Sequence, residues 1–572
     1  MKVVEGYLPD GIRVVVHHAT TARGSAVVIV PPFGFEDVAS YRGRRAMATT
    51  LATRGHPVVH LDLAGAGDDG FDFDAPGLFD TWVKGITDGA RIARGLSAQS
   101  RAAVFGLGLG GQLACLAAAS DAVDDLVLWG VPSRGRTLLR QIRAFALLQG
   151  AAPPDTQRDG SAWFYGYPLS GESMARIEQF DMCTLAFERP GRRALILTAD
   201  ALPVDPRAVD ALERAGVAVT VAAGNGYASL VGNPQTSTTP HAVITTLLQW
   251  LDGAPQTEPA AVRSQAAQMR EILHVSGGLT ESPLLLSTVG GSAAAVVTMP
   301  AVEPRATLVL LNAGANRRVG PNRMWVRAAR AAARAGAAAV RVDLPGIGDA
   351  DGADDWVGGD AAFYQPERQA QVHEVIDGVL RQGLPGRLIL AGLCSGAYWA
   401  LWAALEDPRV RAIVMLNPRT LVWEPLRSEL AAVNDLRRLR HVATWRRLLT
   451  GRLSRRHALD VARATLRRLL NTRTLREQRL AMRADRAAGG DELDRALDRL
   501  HAQGTRVTLA FSAEEPVLAE LSRERRLAEP ERWPNLSLEL LGGPREVHTL
   551  APRELQETAL RLIAEAVATT LG

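Results

Sequence analysis

The residues best suited to chemistry surround a cysteine. Gly392-Leu393-Cys394-Ser395-Gly396 follows the apolar run Leu388 to Ala391 and leads into the helical stretch AYWALWAALED. A strained turn between strand and helix needs glycine two residues either side of its central residue, because side chains there would collide. Cys394 would then stand at a helix N-terminus, where amide groups and the helix dipole favour a thiolate. The backbone N–H of Ser395 would point toward a developing oxyanion. In isolation, in a chain with 53 glycines, the same pattern more often marks a buried, inert cysteine.

The elements around this turn come from a pattern that occurs twice. DLAGAGD at 62–68 and DLPGIGD at 343–349 lie 281 residues apart, and the same offset pairs VVIVPPFG from Val27 with LVLLNAGA from Leu308. VFGLGLGGQLA from Val104 matches LAGLCSGAYWA from Leu390 at an offset of 286. Three matches in one order imply a duplicated unit. Strand-like runs near Val27, Val58, Ala102, Leu126, Ala194 and Val217, and near Leu308, Ala338, Leu388, Ala412, Val507 and Leu536, alternate with helical stretches. The expected fold class is α/β: two tandem units, each a mostly parallel, doubly wound sheet with a helical cap insertion. The insertions, without strand signals, fall at about 132–190 and 418–503, and residues 253–283 read as the connection. The division is 1–255, a linker at 256–283, and 284–572.

These motifs make both halves resemble the α/β-hydrolase superfamily over nearly the whole chain. They are the loop after the third strand, the D-x-x-G-x-G-D turn after the fourth and the elbow after the fifth. In that family an acid follows a later strand and a histidine follows the last. The resemblance therefore implies Glu515, in RVTLAFSAEEP, as the acid in preference to its neighbour Glu514. It implies His548, in SLELLGGPREVHTLAP, as the base, giving the family's order of nucleophile, acid and base. It also implies a second oxyanion donor from the loop LNAGANRRVGPNR, at Ala313 or Gly314, beside Ser395. Arg317, Arg318, Asn322 and Arg323 of that loop are candidates for substrate binding or for bracing. Cysteine at the elbow departs from the usual serine, as in dienelactone hydrolases and some thioesterase-like members. A Cys394 thiolate would form a thioester intermediate that water, an amine, an alcohol or a thiol could discharge.

The first half departs further. Register puts Gly108 at the nucleophile position, and the segment where the base should lie offers Gln235 but no histidine, His241 coming later in a helix. Asp200 or Asp205 could hold the acid position. The expectation is a catalytically silent half that stabilises or shapes the other.

The remaining arithmetic limits the alternatives. With 65 Lys+Arg against 61 Asp+Glu, a net charge of +4 does not suggest nucleic-acid binding. From Arg419 to Arg499, however, 20 arginines face 10 acidic residues. A basic cap could receive a coenzyme A or carrier-protein thioester, or could be a solvated helical face. Trp423 and Trp445 could line an acyl pocket or pack the cap to the body. Three distant cysteines suggest no disulfide framework and a reducing, cytoplasmic setting, with Cys115 and Cys183 as core residues. No metal-ligand cluster or nucleotide loop is present, so no cofactor is implied, and no apolar run is long enough for a membrane span. The leading function is ester or thioester hydrolysis of a small-molecule substrate through Cys394, His548 and Glu515. Acyl transfer or cyclisation through the same intermediate is the alternative, and a non-catalytic binding scaffold is the reading from another class.

Overall fold

Successive residues of each apolar run serve two different layers, as the two-residue period of a strand requires. Val28 and Val30 pack into one core cluster while Val27 and Ile29 pack into another. Val309 and Leu311 are divided in the same way from Leu308 and Leu310. Both runs are therefore central strands covered on both faces. The computed structural model describes residues 2–148, 160–186, 191–255, 269–352, 360–423, 492–513, 515–523, 531–542 and 547–572.

The first half contributes β1 (Val3–Tyr7), β2 (Arg13–His17), β3 (Ala26–Val30), β4 (Val58–Leu61), β5 (Ala102–Leu107), β6 (Asp125–Trp129), β7 (Ala162–Phe164), β8 (Tyr167–Leu169), β9 (Arg193–Leu197) and β10 (Ala218–Ala222). The second contributes β11 (Leu273–Val275), β12 (Leu279–Thr288), β13 (Gly291–Met299), β14 (Thr307–Leu310), β15 (Ala338–Asp343), β16 (Leu388–Leu393), β17 (Val410–Leu416), β18 (Arg506–Phe511) and β19 (Leu536–Leu540). The first sheet runs β1-β2-β4-β3-β5-β6-β9-β10 and the second β11-β12-β13-β15-β14-β16-β17-β18-β19. From β4 and from β15 onward all pairings are parallel. The strands ahead of them are antiparallel.

All twelve expected runs are strands, but three details differ from expectation. The first insertion carries the hairpin β7–β8, whose three-residue strands are too short to show an alternation and whose turn, Tyr165-Gly166, has positive φ at both residues. The segment read as a connection already contains β11 and the start of β12, which pair antiparallel around Gly277-Gly278. Cys183 is half-buried in a single turn at Met182–Thr184 rather than in the core, whereas Cys115 is buried. Trp445 and most of the expected second cap, 424–491, lie outside the described residues; the described end of that cap is the helix Glu492–Gln503. Among the described residues no helix is long and apolar enough to cross a membrane.

The halves meet through the repeated motif itself. Asp62 accepts from the Asp68 amide and Asp343 from the Asp349 amide, so each motif closes on its own first aspartate. The second aspartate then crosses to the other half. Asp68 pairs with Arg318, at 2.9 Å, and with Arg341. Asp349 accepts from Arg13 and from Tyr41, each at 2.5 Å. Burial works against ionising Asp68, but the surrounding Arg318, Arg341 and Arg13 outweigh it and hold the carboxyl below its ordinary range.

Candidate active site

Cys394 sits between β16 and the helix Ser395–Glu406 with φ 60° and ψ −118°, a conformation that costs a non-glycine residue free energy and persists only where the surroundings impose it. They do so here. A side chain on Gly392 would overlap the backbone of Gly396, and one on Gly396 would overlap the carbonyl of Asn312. The Cys394 amide is tied to the Leu416 carbonyl at 3.0 Å. The thiol is therefore held at the carboxyl end of a central strand, 7% exposed.

Glu515, 2% exposed, lies just beyond β18 and accepts from His548 Nδ1 at 3.0 Å. Among the described residues His548 Nε2 is buried without a hydrogen-bond partner, and the neighbouring Cys394 sulfur is what most favours its charged form. Burial alone would raise the Cys394 thiol. Attraction to His548, reinforced by Arg419 and the Ser395 amide, brings it below its ordinary value. Burial would likewise favour neutral His548, but Cys394 and then Glu515 raise it to about 10. The two shifts run in opposite directions, the thiol down and the imidazole up, and each residue is the main cause of the other's. Glu514 lies outside the described residues.

The sequence reading missed Asn417. Just after β17, with φ 40°, it accepts from the Ser512 amide at 2.7 Å and donates to Ser512 Oγ at 3.0 Å and to the His548 carbonyl at 3.1 Å. One buried carboxamide thus links the loop bearing the acid to the loop bearing the histidine. An asparagine beside a proline reads as an ordinary turn, and only the fold brings it to those loops.

The loop after β14 runs alongside. Gly314 donates its amide to Ser395 Oγ at 3.0 Å, so the Ser395 hydroxyl ties this loop to the elbow, while Ala313 is buried beside it. The charged residues of the loop are braces. Arg317 forks Asp62 at 3.0 and 3.1 Å, and Arg323 donates to the Gly67 carbonyl at 2.8 Å. Asn322 donates to the carbonyls of Thr549 and Leu550, next to His548.

The first half repeats the elbow without a nucleophile. Gly108 has φ 49° and ψ −117°, matching Cys394. Where its side chain would begin, Glu36 Oε2 and the Tyr227 hydroxyl stand 3.5 Å away. Burial raises Glu36 to about 7 against the hydrogen bond from Tyr227. Asp200 accepts from the amides of Gly226 and Ala228, Asp205 caps the helix Pro206–Arg214, and His241 is exposed at the start of its helix. None of the three is placed as a base or its partner.

The elbow and the order of eight strands, common to both sheets with β11 added at the edge of the second, decide the fold. Both units have the α/β-hydrolase fold. No family model matches the chain, and no curated protein does. Among solved structures the chain is similar to a dienelactone hydrolase from Anabaena variabilis, at 13% identity and a TM-score of 0.31, covering 52% of this chain and 97% of that one. It is similar to the α/β hydrolase GrgF from Penicillium, at 16% identity and a TM-score of 0.32, covering 44% and 97%. Est1E from Butyrivibrio proteoclasticus matches at 14% identity and a TM-score of 0.30, again covering 44% and 97%. At such identities and TM-scores these likenesses carry no argument about the chemistry of this chain.

Proposed function

We propose that the chain is an acyl hydrolase acting on an ester or thioester through Cys394, His548 and Glu515. The observation that carries the reading is the alignment of Glu515, His548 Nδ1 and the strained Cys394 elbow, with the thiol depressed and the imidazole raised. Cys394 Sγ attacks the acyl carbonyl, the S–C bond forms, and His548 passes its proton to the departing alcohol or thiol. Water, deprotonated by His548, then cleaves the thioester, releasing the acid and restoring the thiol. The Ser395 amide supports the oxyanion from the helix N-terminus. Glu515 orients the imidazole through its bond to Nδ1.

The first unit, with Gly108 at the elbow, is catalytically silent in this reading, and the two units descend from one duplicated ancestor. Transfer of the acyl group to an amine, alcohol or thiol, or cyclisation, uses the same intermediate. Whether the acyl donor is a free ester or a coenzyme A or carrier-protein thioester depends on the cap. The test is turnover of short and medium acyl esters and thioesters by the wild type and by Cys394→Ala. Turnover that survives the substitution refutes the assignment of the nucleophile.

A further inference from the structure

The first unit also reaches the loop after β14, beside the Cys394 elbow. The segment after β10, where the second unit carries His548, forms a turn in which Asn233 Oδ1 accepts from the Gln235 amide at 2.8 Å and the Asn233 carbonyl accepts from Thr236. That turn directs Gln235 across the interface. Its Nε2 lies 2.9 Å from the point where a side chain on Gly314 would begin. Gly314 has φ +55° and no side chain, so the carboxamide takes the space a residue there would fill.

Three observations give this contact a consequence. The Gly314 amide, which the resemblance to hydrolases marked as an oxyanion donor, is already spent on Ser395 Oγ. The Gln235 carboxamide is half-buried and has no hydrogen-bond partner among the described residues, which leaves its N–H groups without an acceptor there. The contact is held in register on both sides. Arg317 and Arg323 fix the Gly314 loop to the first unit through Asp62 and Gly67, and Gln556 donates to the Gly166 carbonyl at 3.2 Å beside Asn322.

We infer that Gln235 is a catalytic residue of the Cys394 site, donating from its side-chain amide to the oxyanion in partnership with the Ser395 backbone amide. The inference rests on the acyl-enzyme reading above. It makes the first unit part of the active site: silent at its own elbow, it supplies a donor in place of the Gly314 amide. A preorganised carboxamide donor of this kind is worth about 100- to 1000-fold in rate when removed.

The test compares two reactions of the same thiol in the full-length chain. Acylation of Cys394 by an acyl thioester passes through an oxyanion, whereas alkylation by iodoacetamide does not. Gln235→Ala is expected to slow acylation, followed by intact mass, about 100-fold while leaving the alkylation rate, its pH profile and the melting temperature near wild type. The isosteric Gln235→Glu, which replaces the donor by a carboxylate, is expected to slow it at least as much. Acylation of Gln235→Ala at the wild-type rate overturns the inference alone, and so does an equal loss in acylation and alkylation, which marks a structural role. A wild-type chain that takes no acyl adduct overturns the functional reading and this inference with it.

Discussion

Arg317 and Asp62 form a two-pronged ion pair at 3.0 and 3.1 Å across the interface, with both side chains 2% exposed. A buried pair is a weak source of net stability, because desolvating both ions offsets their attraction, but breaking one strands the survivor. Asp62→Ala leaves Arg317 without its partner and also removes the carboxylate near Arg13 at 3.5 Å. The expected cost is about 3–5 kcal/mol in urea unfolding. Asp88→Ala, which breaks the exposed pair with Lys84, is expected to cost about 1 kcal/mol or less. Equal losses for the two variants contradict a tightly built interface.

Cys394 is expected to react as a thiolate at lower pH than a free cysteine does. Its alkylation rate should rise below the free thiol's range of about 8.5, and His548→Ala should move the rise upward, since burial then acts without its main opponent. The sign for stability follows from His548, whose pKa is raised to about 10 by folding. Its contribution is full below the ordinary imidazole value of about 6.5 and is lost as pH rises through about 10. Alkylation profiles that coincide for wild type and His548→Ala separate the two residues.

Asn417→Ala removes the link between the acid and histidine loops. The Ser512 amide and the His548 carbonyl lose their partner, at about 1–3 kcal/mol for each buried group left unpaired. Melting temperature and Cys394 alkylation at neutral pH should fall together. A variant with wild-type values in both makes Asn417 a passive turn residue.

The strands and the elbow were legible because central strands need unbroken apolar runs and the elbow needs glycine on both sides of Cys394. The motif glycines were legible for a related reason: a side chain on Gly67 or Gly348 would meet Asp62 or Asp343. What those aspartates hold was not legible. Asp62 and Arg317 are 255 positions apart, and nothing local distinguishes an arginine that braces a loop from one that binds substrate. Gln235 illustrates the same limit: the register pointed to its segment as the first unit's base position, yet its carboxamide serves the other unit. Short pieces such as β7 and β8 escape because three residues carry no period.

Intact mass spectrometry of the full-length protein after incubation with short and medium acyl thioesters tests the central claim most directly. The account predicts a single acyl mass increment that peptide mapping places on Cys394 and that disappears in Cys394→Ala. It should persist longer in His548→Ala, where the deacylating base is gone. No increment on the wild type, or one that remains in Cys394→Ala, contradicts it.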